Sequence, residues 1–167
     1  METDVVTVVL GFGKGKIELN LSKTQYCPGE NVTGKIFLNL KKPISAKGLK
    51  VYFVAKKITR TGDGSFKENL VYNSEISIEG EKEYYTNTYS FEFNIPENIL
   101  VIVNNWLDDK IKNSPDGFMK DMMINAMEKD WVKKRFMVRD EFIIESILEV
   151  PKGKDIKEKT LIDIMEK

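Results

Sequence analysis

Few residues in this chain have the type and spacing to do chemistry. Gly11-Phe-Gly-Lys-Gly-Lys16 has the glycines and lysines of a phosphate cradle. Such a cradle needs a strand, a glycine-rich turn and a helix N-terminus in that order, with Ser or Thr after the lysine. Here the glycines run into the alternating segment Ile17–Leu21 and no Ser or Thr follows Lys16, so the segment reads as a lead-in to a strand. Cys27 stands beside Pro28 with Lys23 nearby, but the chain holds 0 histidines to activate it and 1 cysteine in all, so nothing resolves it. The missing histidine also removes Ser-His-Asp and Cys-His chemistry and any His-bearing zinc site. Asp108 and Asp109 are neighbours on a helical stretch, point in different directions, and read as solvated charges. Glu79, Glu81 and Glu83 alternate around Gly80 beside Lys82, as a charged strand end that guards a sheet edge. No catalytic, metal or cofactor site is expected, and the chain is not expected to be an enzyme.

These residues have to be positioned by elements, and composition bounds what those are. With 167 residues, 41% of them hydrophobic, the chain is long enough for one packed domain, expected to span 1–167. Lys plus Arg and Asp plus Glu balance at 26 each. A neutral sum predicts no nucleic-acid partner, since that needs a basic face, although a local patch is compatible with it. A lone cysteine rules out an intramolecular disulfide. Met1–Leu10 puts Glu2 and Asp4 before a short apolar run, a poor signal peptide and too short to span a bilayer, so the expected location is cytoplasmic.

Period-two alternation dominates the first hundred residues. Ile17, Leu19 and Leu21 share one face of a strand; Val32, Gly34, Ile36, Leu38 and Leu40 share another; Leu49, Val51, Phe53 and Ala55 a third. Tyr26-Cys-Pro-Gly-Glu30 and Thr61-Gly-Asp-Gly64 are turns. Leu70–Ile78 and Tyr85–Ile95 follow, the latter with Tyr85, Tyr89, Phe91, Phe93 and Ile95 on one parity and expected in the core. Phe136–Val150 and Lys159–Ile164 close the series around a turn at Pro151-Lys-Gly-Lys154. The sum is an all-β, immunoglobulin-like antiparallel sandwich.

Between about 97 and 131 the period changes to that of a helix. Ile99, Ile102, Val103, Trp106 and Leu107 recur at helical spacing, Asn113-Ser-Pro-Asp-Gly117 interrupts, and Phe118 to Met127 repeats the pattern. The reading is an α-helical hairpin inserted in the sandwich.

The segment from Gly11 to Leu38 resembles the arrestin N-terminal domain family. There a first strand leads into a Tyr-x-Pro-Gly-Glu turn and a Val-x-Gly-x-Val strand, which Tyr26, Pro28, Gly29, Glu30, Val32, Gly34 and Ile36 match. Phe91-Glu-Phe-Asn-Ile-Pro96 and the closing pair Ser146–Val150 and Leu161–Ile164 are similar to its later strands. In style the chain is most similar to the bacterial sporulation-control members and to arrestin-like trafficking adaptors. The resemblance implies an arrestin N-terminal type sandwich and a non-catalytic, protein-binding adaptor or regulator. It departs from the family in having length for one lobe where two are usual, and in the helical insertion.

Two places are expected to meet a partner. If the family's register holds, Arg60, Asp63 and Phe66 lie near where it presents a partner-reading loop; the plainer reading is an exposed turn carrying one incidental aromatic. The insertion gathers Met119, Met122, Met123 and Met127 with both tryptophans, Trp106 and Trp131, residue types suited to interfaces or self-association. The plainer reading of the latter set is a face buried against the sandwich. Membrane contact is not expected: in the insertion, its best candidate, Lys110, Lys112, Lys120 and Lys129 are offset by Asp108, Asp109, Asp121 and Glu128. The alternative function is small-ligand or carbohydrate binding on a platform of Tyr84, Tyr85 and Tyr89.

Overall fold

The computed structural model of the chain describes residues 13–61, 63–112 and 137–166. In chain order it contains β1 (Gly15–Leu21), β2 (Gln25–Tyr26), β3 (Asn31–Leu40), β4 (Ile44–Ala46), β5 (Gly48–Arg60) and β6 (Phe66–Glu79). Then follow β7 (Lys82–Tyr84), β8 (Asn87–Asn94), α1 (Ile99–Lys112), β9 (Met137–Glu149) and β10 (Ile156–Ile164). One sheet has the order β1-β3-β8 and another the order β2-β10-β9-β5-β6, while β4 pairs with β7. The pairings are antiparallel except β2 with β10, which is parallel and too short to be read from periodicity.

The predicted faces form the core. Ile17, Leu19, Val32, Ile36, Leu38, Leu49, Val51, Phe53 and Ala55 are all buried. Phe53 ties the sheets together: its ring centroid lies 5.9 Å from Tyr72 on its own sheet and 5.9 Å from Phe93 on the other. On the outer face of the five-stranded sheet Lys50 bridges Glu75 at 3.1 Å and Glu149 at 3.2 Å, while Val54, Ile58 and Ile143 on the same face are buried, so that face is polar only toward the Lys50 end.

The Tyr26–Glu30 turn is explained by what it is fastened to. Gly29 takes φ +79° and donates its N–H to the Ile95 carbonyl, and the Ile95 N–H returns to Glu30, each at 3.0 Å. The Glu30 carboxylate accepts the Cys27 N–H at 2.8 Å, and the buried Tyr26 donates its hydroxyl to the Lys23 carbonyl. Pro-Gly-Glu thus docks the β2–β3 connection onto the end of β8. Cys27 is a half-buried member of that turn.

Two expectations need correction. The run Tyr85–Ile95 is not one strand. The Thr86 hydroxyl bonds both the N–H and the carbonyl of Leu40, which breaks the strand between β7 and β8. Tyr84 consequently turns into the core, fully buried with its hydroxyl on the Gly80 carbonyl, and Tyr85, expected inside, is 56% exposed. Strand lengths also differ: β6 begins at Phe66 and β10 at Ile156, because cross-strand pairing carries them past their apolar stretches. The first helix of the expected hairpin is α1; the second lies outside the described residues.

Candidate partner-binding end of the sandwich

β5 and β6 are joined by a tight turn at one end of the sandwich. The Thr61 N–H bonds the Ser65 carbonyl and the Gly64 N–H the Thr61 carbonyl, both at 2.9 Å, with Gly64 at φ +86°. The Asp63 carboxylate accepts the Ser65 N–H at 3.0 Å, the Ser65 hydroxyl at 2.8 Å and the Thr61 hydroxyl. These donors hold its carboxyl down at about 2, the Thr61 hydroxyl contributing most. Asp63 is therefore occupied in shaping the turn. Arg60 and Phe66, cross-strand partners at its base, present the surface: Phe66 is 64% exposed, with the Arg60 guanidinium 5.9 Å from its ring centroid.

The same end carries α1. β8 runs from the β4–β7 side of the molecule toward this end, and α1 leaves from there to pack on β6 and β5. Ile99 and Val103 sit in the core with Ile95, which is the buried face that helical spacing predicts. Val101 is 58% exposed, and Trp106 is half-buried under the Lys110 ammonium, 4.7 Å from its ring. In α1 one face is core and another stays accessible. Arg60 and Phe66 are thus brought together at this end, with Asp63 as support, and Trp106 sits on α1, which packs on the same two strands. Met119, Met122, Met123, Met127 and Trp131 lie outside the described residues.

Two buried charges escaped the sequence reading. Lys57 is 5% exposed and its ammonium meets Asp140 on β9 at 2.7 Å. Glu158 is 3% exposed on β10, opposite Ser146 of β9, and burial pushes its carboxyl up. The available signal was parity, since Lys57 shares the face of Val51, Phe53 and Ala55, and Glu158 that of Ile162. The carbohydrate platform does not form: of Tyr84, Tyr85 and Tyr89 only Tyr85 is exposed, and its hydroxyl bonds Glu83. Among the described residues no helix is long and apolar enough to cross a membrane.

Residues 15–91 match the family model described as arrestin (or S-antigen), N-terminal domain. Among solved structures the chain is similar to Spo0M, a sporulation control protein from Bacillus subtilis, with a TM-score of 0.57 and 14% identity over 92% of this chain. The match covers 50% of that protein, so this chain spans about half its length. No curated protein matches the sequence. With the Pro-Gly-Glu turn, the sheet order and the matched segment in agreement, the fold is of the arrestin N-terminal type, and residues 15–91 are similar to that family's domain.

Proposed function

We propose that this is a non-catalytic protein-binding adaptor or regulatory module, one cytoplasmic domain over 1–167 with a helical insertion at about 97–131. Its partner, another protein or a second copy, is met by the end carrying Arg60, Phe66 and α1. The observation that carries this reading is Phe66, a large ring 64% exposed on a turn whose own hydrogen bonds fix its position. Phenylalanine and arginine are both enriched at interfaces, and arginine at their energetic centres. The match of residues 15–91 to an adaptor-type, generally non-catalytic domain family supports the same class of role.

The test is affinity capture from the native host with the full chain, Phe66→Ser, Val101→Ser and a control, Leu161→Ser, which alters an equally exposed side chain on β10. One partner lost with Phe66→Ser or Val101→Ser and retained with Leu161→Ser is the expected result. Loss of about tenfold or more in affinity is expected for a central aromatic. If all four chains capture the same proteins equally, and light scattering shows no change in self-association, this end is not the contact surface.

A further inference from the structure

The neutral overall charge hides an uneven distribution. At the end of the sandwich opposite α1, the loops from β3 to β5 and from β9 to β10 meet the start of β1. The lysines there are Lys14, Lys41, Lys42, Lys47, Lys152 and Lys154, every one exposed. They are contiguous. The Lys41 N–H bonds the Lys14 carbonyl at 3.1 Å, and the Lys47 N–H bonds the Glu149 carbonyl at 2.8 Å. The Lys14 ammonium lies against Gly153, 2.6 Å from where a Cβ would stand there, and Lys47 and Lys152 line, with Glu149 and Asp155, an open cleft of about 230 Å³.

None of these ammonium groups makes an ion pair among the described residues. The carboxylates nearby are engaged elsewhere. Glu149 pairs with Lys50, Asp155 accepts the Val150 N–H, Glu79 pairs with Lys82 and Glu83 accepts the Tyr85 hydroxyl. Hydrogen bonding leaves the charge on Asp155 and Glu83, so together with Glu81 three carboxylates without a lysine partner stand against the six lysines at this end among the described residues. Lys152 also takes φ +52°, a left-handed conformation that glycine would adopt without strain.

We propose that this basic end docks peripherally on an anionic lipid surface. Several features of the array favour a bilayer over other anions. It consists of lysines alone, point charges on separate loops, without the arginine forks that read individual phosphates or carboxylates. It lies across the end of the sandwich, where strands terminate and loops project, so the charges address a plane. The cleft lined by Lys47 and Lys152 is open and holds two carboxylates, which disfavours a buried anion. This surface is separate from the Phe66 end and does not depend on the role proposed for it. A lobe so anchored would hold its partner-binding end away from the membrane.

The experiment is co-sedimentation of the full chain with phosphatidylserine-containing vesicles and with pure phosphatidylcholine vesicles. Each lysine at an anionic surface is worth about fivefold in partitioning. Wild type is expected to bind the anionic vesicles only, and to be released as salt rises from about 0.1 M to about 0.5 M. Lys42→Ala/Lys152→Gly should partition about 25-fold more weakly. Its melting temperature should be unchanged or raised, since glycine relaxes position 152, so unfolding would not explain the loss. Lys35→Ala/Lys67→Ala, on β3 and at the opposite end of β6, should bind as wild type.

Equal binding to both vesicle types, or to neither, overturns the proposal. So does an equal loss in the two double variants. Full displacement by inorganic phosphate at matched ionic strength would assign a free-phosphate site instead. Tighter binding of polyglutamate than of anionic vesicles would assign an acidic protein partner.

Discussion

Glu158 is the residue whose replacement should most improve this fold. Its side chain faces the interior from β10 with 3% exposure, and its Oε1, the Ser146 hydroxyl and the Thr160 hydroxyl all lack hydrogen-bond partners. Among the described residues no charged group offsets it. Across β9 stand Ser146 and, on the same inner face, Ile144 and Leu148; β1 turns Ile17 and Leu19 inward. Lys16 and Glu18 of β1 pair with each other, Lys159 lies exposed on the other face of β10, and β2 offers Gln25 and Tyr26. Burial therefore raises the Glu158 carboxyl above its ordinary value. A raised folded-state value means that the associated stability is complete below the unfolded-state value, about 4.3, and is lost as pH rises through the folded value.

Glu158→Gln keeps the shape, removes the charge and supplies an N–H₂ that can donate to Ser146 Oγ or Thr160 Oγ1. Relief of a buried unsatisfied group is worth about 1–3 kcal/mol, and more where the group is charged. For a chain of 167 residues that corresponds to a rise in melting temperature of about 2–12 °C near pH 7. Urea unfolding of wild type and variant across about pH 4 to 8 measures it, the other carboxylates cancelling in the difference. The stabilisation should be largest at the alkaline end and shrink toward acid. A gain of equal size at every pH, or a loss at neutral pH, would refute the burial argument.

Two further outcomes follow from the turn and the core. Gly34→Ala puts a Cβ 2.5 Å from the Phe91 ring and 2.8 Å from the Asn20 carbonyl, so it should cost about 1–3 kcal/mol in urea unfolding, with retention of full stability as the contrary result. The carboxyl of Asp63 sits low, so its bonds persist above the unfolded-state value and disappear only as pH falls through about 2. Asp63→Ala should therefore speed amide exchange at Ser65 at neutral pH while β5 and β9 amides stay protected; unchanged exchange at Ser65 would show that the Thr61 and Gly64 backbone bonds suffice.

Much of the architecture was legible in the chain because one-sided burial writes itself as alternation. The inner faces of β1, β3 and β5 follow from residue parity alone, and Ile99 and Val103 from helical spacing. The Pro-Gly-Glu turn was legible for a different reason, since Pro28 and the φ +79° at Gly29 are local requirements that few residues meet. What alternation does not encode is partnership across the chain. The break at Thr86 depends on Leu40, distant in sequence, and it alone decides that Tyr84 goes inside and Tyr85 outside. Lys57 and Glu158 have the composition of surface residues, and only the stacking of two sheets over them makes them interior. The clustering of lysines from separate loops has the same origin: each loop is unremarkable in sequence, and the strand order brings them to one end. Sequence by itself determined the inner faces of the long strands, the turn and the absence of histidine chemistry, all of them local; tertiary structure decided where strands break, which charges are buried and which are gathered, because pairing, burial and electrostatics depend on neighbours that the chain order does not specify.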